Sequence, residues 1–222
     1  MAKLYGVGVG PGDRDLITLK AVKILEKADI VIAPASTGDD SIAYEIAAPY
    51  IMGKVMFMEF PMIHSKEQLE MKWDENVDII KAYINSGNNV AFITIGDPMV
   101  YSTFIYILKR MAGFEVETIP GITSYNAAAA KVNIPIAEGK QPFVVVPSGD
   151  IQEIEKAFSL YDNIILMKVS QKYSEIVRII KENKFKAVLI IRCGHDKEKI
   201  VYDLEGYKEK IDYLSIIIAK RV

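Results

Sequence analysis

Short apolar runs alternate with segments of helical periodicity along the first half of the chain. Strands are predicted at the runs LYGVGV, DIVIAP, KVMFMEF, NVAFITI and FEVETI, which are rich in β-branched and aromatic residues. The segments between them place apolar residues every three or four positions, which is typical of helices; these are Leu16–Ala28, Ser41–Ile51, Ser65–Ser86, Met99–Met111 and Ser124–Val132. This alternation predicts a parallel sheet with helices on its faces.

The pattern pauses over NIPIAEGKQP, which contains two prolines and a glycine. We therefore expect two α/β lobes, an N-terminal lobe of residues 1–137 and a C-terminal lobe of residues 138–222. The second half continues with strand, helix, strand and helix, and then with three consecutive strand patterns, KAVLIIRC, EKIVYDLEG and YLSIIIAKR. Consecutive strands pair in antiparallel fashion, so the C-terminal sheet should be mixed. A cleft between two such lobes is a usual place for a ligand.

The net charge and the composition restrict the kinds of molecule that the protein is expected to bind. The 222 residues include 27 Lys and Arg against 29 Asp and Glu, a net charge of −2, which gives no global attraction to nucleic acid or to an anionic membrane. Cys193 is the one cysteine, so neither an intrachain disulfide nor a Cys-x-x-Cys metal site can form. The two histidines, His64 and His195, are too few and too far apart to indicate a metal site. With no leader pattern and no apolar run near the roughly 20 residues that span a bilayer, a cytoplasmic location is expected.

The glycine-rich segment GVGVGPGD begins within the first predicted strand and continues past its end. A dinucleotide-binding fingerprint is excluded, because Pro11 or Asp13 occupies the third glycine position and Asp29 begins the second strand instead of ending it. A phosphate-binding P-loop is excluded because no Gly-Lys-Ser/Thr follows. What remains is a backbone that needs unusual dihedral angles or close approach, either in a simple tight turn or in a binding site.

Two further glycine-bearing turns follow strands of the same predicted sheet. Gly96–Pro98 follows the most apolar strand, and Pro120–Thr123 follows the next. Loops at the carboxyl ends of parallel strands gather in one crevice, so three such turns indicate a binding site. Asp97 has two open interpretations: its carboxylate could bind a hydroxyl pair or a cation, or it could cap the following helix.

Taken together, VGVGPGDRDLITLKA, IGDPMVYSTF and VETIPGITSYNAAAAKVNIPIAEG resemble the tetrapyrrole methylase family over essentially the whole chain. The resemblance implies the two-lobed fold of the class III methyltransferases, with S-adenosylmethionine (SAM) as methyl donor between the lobes of a homodimer. Within the family, GDPMVYSTF, the AAAA run and IPIAEG look like the group that methylates C-20 of precorrin-2 or cobalt-precorrin-2 in cobalamin biosynthesis. In particular, Ser102 stands where relatives that act at other ring positions carry glycine.

The resemblance also assigns residues to the donor site. Positions matching the family's SAM contacts are Pro11, Ile95, Gly96, Asp97, Val100, Thr123, Ser124, Met167 and Gly194. Related sequences often show Glu-x-Gly-Thr at the last of these turns, whereas this chain reads RCGH, which makes the Gly194 contact the weakest match. Met167 has the alternative interpretation of a flexible core filler.

The implied substrate is a tetrapyrrole with several carboxylates, so basic residues beside the motif loops are candidates to bind it. The substrate-binding candidates are Tyr101, Ser102, Tyr125, Arg14 and Lys140. Two or three of five cations should contact substrate; these are Arg14, Lys131, Lys140, Lys168 and Arg192. The sulfonium of SAM is already activated, so the protein's task is to position the reacting carbon and exclude water. Asp97, Tyr101, Tyr125 or water could take the departing proton, and the catalytic residue is left unassigned. No metal is expected to be bound by the protein, because any cobalt would arrive inside the substrate.

Four alternatives remain open at this point. The chain could methylate another position of a tetrapyrrole, or a protein side chain as the diphthine synthases do. The family's rRNA methylases are disfavoured by the net charge and by the lack of an aromatic and basic stripe. A SAM-binding sensor without catalysis would bind the donor and transfer no methyl group.

Overall fold

The computed structural model describes residues 2–35, 41–60 and 66–221. His64 and the start of the third predicted helix at Ser65 lie outside the described residues. The chain forms two compact units, Met1–Thr123 and Ser124–Val222. None of the helices in the described ranges has the length and apolar character needed to cross a membrane.

The first unit is built on a five-stranded parallel sheet. Its strands are β1 (Leu4–Gly8), β2 (Ile30–Ala35), β3 (Lys54–Glu59), β4 (Val90–Thr94) and β5 (Val116–Ile119). Its helices are α1 (Leu19–Leu25), α2 (Ile42–Ala47), α3 (Lys66–Asn85) and α4 (Phe104–Leu108). The strand order is β3-β2-β4-β1-β5 with every pair parallel, which confirms the predicted parallel sheet.

Successive residues of the central strands face opposite sides of this sheet. In β2, Val31 and Ala33 pack into one core cluster with α1 and α2, whereas Ile30 and Ile32 pack into another with α3 and α4. Every residue of β4 is buried. The continuous apolar run of β4 is therefore explained by helices covering both faces of the sheet.

The second unit contains a mixed sheet flanked by three helices. Its helices are α5 (Ser124–Val132), α6 (Ile151–Leu160) and α7 (Tyr173–Glu182), and its strands are β6 (Val144–Pro147), β7 (Asn163–Met167), β8 (Phe185–Ile191), β9 (Lys199–Val201) and β10 (Ser215–Arg221). The order is β6-β7-β10-β8-β9, with β6 and β7 parallel and the other pairs antiparallel, as predicted. The order itself was not predicted: β10 returns between β7 and β8 instead of pairing with β9.

Helix α5 belongs to the second unit by its packing. Its buried alanines, Ala127, Ala128 and Ala129, allow a close approach, and the helix packs against β10. The division between the units therefore falls after Thr123, before the helix, whereas the pause in the sequence pattern placed it after Ala137.

Two helices begin later than their apolar pattern indicates. Leu16 ends a short 3-10 turn, and α1 begins only after Thr18, whose hydroxyl accepts the Ala21 N–H at 3.2 Å. The helix predicted from Met99 starts at Phe104. The residues before Phe104 form a loop in which the side chains of Asp97 and Ser102 accept backbone N–H groups.

Candidate functional site

Three loops of the first unit meet at the carboxyl edge of its sheet. β1 pairs with β4 on one side and with β5 on the other, so the loops that follow these three strands are neighbours. The Gly96 N–H donates to the Gly10 carbonyl at 2.7 Å, and the Gly10 N–H donates to the Gly96 carbonyl at 3.4 Å. The predicted convergence of the three glycine-bearing turns is confirmed.

Gly8, Gly96 and Gly121 form what we call the glycine junction, where the backbone of Gly96 leaves no room for a side chain on Gly8 or Gly121. A Cβ atom on Gly8 would lie 2.6 Å from the Gly96 carbonyl oxygen and 2.7 Å from the Gly121 nitrogen. A Cβ on Gly121 would overlap the same carbonyl oxygen. The glycine at position 8 is thus required by the packing of one loop against another.

Asp97 ties two of these loops together. Its Oδ1 accepts the Met99 N–H at 2.8 Å, and its Oδ2 accepts the Gly121 N–H at 3.0 Å. The side chain is half-buried. Asp97 does not cap helix α4, whose N-cap is Thr103; its carboxylate instead holds the loop after β4 and the glycine junction. Its contact with a ligand stays a prediction.

Replacing Asp97 by asparagine should destabilise the first unit by about 2 kcal/mol. The amide can offer oxygen to only one of the two N–H groups, and losing a hydrogen bond to a charged acceptor costs about 1.5–3 kcal/mol. Urea denaturation measures the change. Asp150→Asn is the matched control, because Asp150 accepts the Gln152 N–H at the start of α6 and asparagine caps helices equally well. Equal stability of the two variants would contradict this role for Asp97.

The side chain of Ser102 is buried, whereas that of its neighbour Tyr101 is exposed. Ser102 is buried, its Oγ lies 3.0 Å from the Thr94 hydroxyl, and the same oxygen accepts the Phe104 N–H at 3.1 Å. Tyr101 has a left-handed φ of 49° and its side chain is exposed. The Ser102 hydroxyl is used inside the unit, where it anchors the loop to β4, and its contact with substrate stays a prediction. Tyr101 stays on the loop surface.

The other candidates of the first unit lie on or beside the same loops. Pro11 is buried next to Gly10, and Ile95, Val100 and Thr123 are half-buried at the strand ends. Side chains in this state are neither part of the core nor fully solvated. Arg14 is exposed, and its Nη2 donates to the Glu45 carbonyl at 2.9 Å.

In the second unit, one predicted donor contact, Met167, lies at the end of a strand, and another, Ser124, lies at the start of a helix. Met167 ends β7 and is half-buried, and its carbonyl accepts both the Ser148 N–H at 2.9 Å and the Ser148 hydroxyl at 2.8 Å. Ser124 begins α5, followed by Tyr125, and both are half-buried. Lys168, directly after Met167, has a left-handed φ of 59° and places its Nζ 6.0 Å from the centre of the Tyr213 ring.

The turn at residues 192–198 joins β8 to β9 and carries Gly194. The Gly194 N–H donates to Oε2 of Glu198 at 2.7 Å, and Oε1 of Glu198 lies 3.1 Å from Nζ of Lys131. Sequence reasoning missed Glu198. The available signal was an acidic residue four positions after a turn glycine, which is too common to single out.

The basic candidates divide by whether a carboxylate already neutralises them. Lys131 pairs with Glu198, and Arg192 pairs with Asp212 at 3.1 Å. Within the described ranges, Lys140 and Lys168 form no ion pair. The same ranges contain no group of three or more His, Cys, Asp or Glu side chains that could hold a metal ion.

Comparison with known proteins places this geometry in context. The model of the family described as Tetrapyrrole (Corrin/Porphyrin) Methylases matches residues 3–206. The chain is 40% identical to the probable cobalt-precorrin-2 C(20)-methyltransferase of Methanocaldococcus jannaschii, over 99% of this chain and 96% of that protein. It is 36% identical to the cobalt-precorrin-2 C(20)-methyltransferase of Salmonella typhimurium, over 81% of this chain and 78% of that protein.

A solved structure shares the fold. The uroporphyrin-III C-methyl transferase of Thermus thermophilus, complexed with S-adenyl homocysteine, superposes with a TM-score of 0.74. The match covers 99% of this chain and 92% of that chain, at 19% sequence identity. At this identity the likeness is one of fold.

Proposed function

This chain belongs to the tetrapyrrole methylase family, and from that premise we propose that it transfers a methyl group from SAM to C-20 of cobalt-precorrin-2 or precorrin-2 in corrin biosynthesis. The observation that carries the proposal is the 40% identity, over almost the full length of both chains, to a relative named for that reaction. A second relative of the same name, at 36% identity, supports the same ring position.

The proposed donor contacts are the residues that the loops bring to the strand ends. They are Pro11, Ile95, Gly96, Asp97, Val100, Thr123, Ser124, Met167 and Gly194. Their support is the glycine junction, which fixes the backbone of the loops, and the half-buried state of Ile95, Val100, Thr123, Ser124 and Met167. Half-buried apolar and small polar side chains suit a ligand with an adenosyl group and a methionyl sulfonium.

The reaction requires the side chains mainly to position the methyl donor and the substrate. SAM supplies an electrophilic methyl group, so a new carbon–carbon bond forms at C-20 as the sulfur–methyl bond breaks, and the ring proton then leaves. Asp97 already accepts two backbone N–H groups, which favours a positioning role for it. Tyr101, Tyr125 and water remain the proposed acceptors of the proton. Positioning and exclusion of water supply the rate enhancement.

The carboxylates of the tetrapyrrole need cations that are not already neutralised. Lys140 and Lys168 meet this condition within the described ranges, and Arg14 uses one of its nitrogens on a backbone carbonyl and keeps the rest of its guanidinium group exposed. We assign substrate carboxylates to these three residues, with Tyr101 and Tyr125 beside them. Lys131 and Arg192 are less suited because each has a carboxylate partner.

The remaining parts of the proposal are carried over from the family. The chain acts as a homodimer in the cytoplasm, on a small-molecule substrate, without nucleic acid or membrane as partner. The protein holds no metal of its own, and any cobalt belongs to the substrate. Sedimentation of the purified protein at micromolar concentration measures the oligomeric state; a monomer with full activity would contradict the dimer.

Supplying the protein separately with three methyl acceptors tests the proposed reaction. The purified protein is incubated with SAM and, separately, with cobalt-precorrin-2, metal-free precorrin-2 and uroporphyrinogen III, and products are identified by mass. We expect one added methyl group on cobalt-precorrin-2 or precorrin-2 and none on uroporphyrinogen III. Methylation of uroporphyrinogen III alone would keep the family and overturn the ring position. No product from any of the three, with SAM bound, would favour a protein acceptor or a sensor.

A further inference from the structure

The structure assigns Glu198 as a positioning residue for the methyl donor. One carboxylate holds the 192–198 turn and helix α5 together, and each of these segments carries a proposed donor contact, Gly194 and Ser124. The inference rests on the proposed function, since it concerns the binding of SAM.

The two oxygens of the Glu198 carboxylate bind two different segments of the chain. Oε2 accepts the Gly194 N–H at 2.7 Å, and Oε1 lies 3.1 Å from Nζ of Lys131. The Glu198 side chain is only 18% exposed. An N–H bond to a carboxylate is shorter and stronger than a bond between neutral groups. The Lys131 side chain is 51% exposed, so the ion pair is the weaker of the two interactions.

The turn needs such a restraint because its backbone is strained. Arg192, Gly194 and Lys197 all have left-handed φ values, of 51°, 77° and 67°. A side chain with a Cβ atom pays a steric cost there, so this conformation persists only where the surroundings fix it. The backbone bonds of the turn, from His195 N–H to Arg192 and from Glu198 N–H to His195, measure 2.9 and 3.2 Å. The Glu198 carboxylate adds the bond that orients Gly194 itself.

On the other side, Lys131 lies in the last turn of α5, and Ser124 is the first residue of that helix. The helix is packed on β10 through its alanines, so its position along the sheet is set by few large side chains. The ion pair with Glu198 links the last turn of α5 to the 192–198 turn. In this way it contributes to the spacing between Ser124 and the backbone of Gly194.

Three variants separate the two bonds of this carboxylate. Glu198→Gln keeps an oxygen for the Gly194 N–H and removes the charge opposite Lys131. Lys131→Met removes the ion pair and leaves the turn bond in place. Glu198→Ala removes both. The matched control is Glu182→Ala, which removes an exposed ion pair with Arg178 on α7 of the same unit.

The test is calorimetric titration with S-adenosylhomocysteine, the non-reactive form of the donor, together with steady-state kinetics. We expect Glu198→Ala to weaken binding by about tenfold or more. The turn that carries Gly194 loses a hydrogen bond to a charged acceptor, and the cost of restoring its bound conformation is then subtracted from the free energy of binding. Glu198→Gln and Lys131→Met should weaken it less, by about threefold. The KM for SAM should rise in the same order, whereas the KM for the tetrapyrrole should stay within twofold of wild type.

The outcomes distinguish the inference from the proposed function. Wild-type affinity in Glu198→Ala would overturn the inference while SAM-dependent activity stands. An equal rise in both KM values, with melting temperatures falling in parallel in all three variants, would also overturn it, because the role would then be purely structural. A wild-type protein that does not bind S-adenosylhomocysteine would overturn both. If Glu198→Ala fails to fold, Lys131→Met decides the matter, because the turn is intact in that variant.

Discussion

Replacing Gly121 by alanine should remove detectable binding of the methyl donor and destabilise the first unit by about 3 kcal/mol or more. The added Cβ would overlap the Gly96 carbonyl oxygen and would lie 2.9 Å from two backbone atoms of Gly8. No side chain can rotate away to relieve these contacts, because all of them are backbone. The loops after β1, β4 and β5 would have to separate, and the donor contacts that they carry would separate with them.

Two control variants separate this clash from other effects of losing a glycine. Gly149→Ala has open space and an ordinary φ, so its stability should be unchanged. Gly113→Ala also has open space but a left-handed φ of 86°, so it should cost about 1–2 kcal/mol from backbone strain alone. Urea denaturation and titration with S-adenosylhomocysteine measure all three. A Gly121→Ala protein no less stable than Gly113→Ala would refute the close approach at the glycine junction.

The second large effect should come from Phe104, which fills the space left by Gly6. The Phe104 ring is fully buried in the core beneath β1, and a Cβ on Gly6 would penetrate it. Phe104→Ala should cost about 3–5 kcal/mol of unfolding free energy, the usual range for a buried phenylalanine. Gly6→Ala should also destabilise, because the ring would be pushed out of its place.

A double variant tests whether these two positions share one space. Phe104→Leu removes the tip of the ring, which is the part that a Cβ on Gly6 would meet. Gly6→Ala should therefore cost at least about 1 kcal/mol less in the Phe104→Leu background than in wild type, as expected for residues in contact. Urea denaturation of the four proteins gives this coupling. Strictly additive losses would mean that Gly6 is glycine for another reason.

The order of strands and helices could be predicted from the sequence because each element has its own periodicity. The apolar run of β4 and the spacing from Leu69 to Ile84 depend only on neighbours along the chain. The position of β10 between β7 and β8 depends on distant pairing, and no local pattern indicates it. The late start of α4 has a different, local cause: Asp97 and Ser102 bond to backbone groups two positions further on, in place of the helix that the apolar pattern favours.

The candidate site was predictable to the extent that it follows from strand ends. Gly8 ends one parallel strand, and Gly96 and Gly121 follow two others, so their convergence could be inferred before the structure. The inward orientation of Ser102 could not, because it depends on the Thr94 hydroxyl across the loop. The role of Glu198 could not be predicted for a related reason. Its partner Lys131 lies 67 positions earlier in the chain, and only the fold brings the two together.

The position of the transferred methyl group tests the central claim most directly. The purified protein is incubated with SAM carrying a carbon-13 methyl group and with cobalt-precorrin-2, and the product is examined by NMR. We predict a single labelled methyl group on the C-20 meso carbon. A label on any other ring carbon, or no label with the donor bound and the substrate intact, would contradict the proposed reaction.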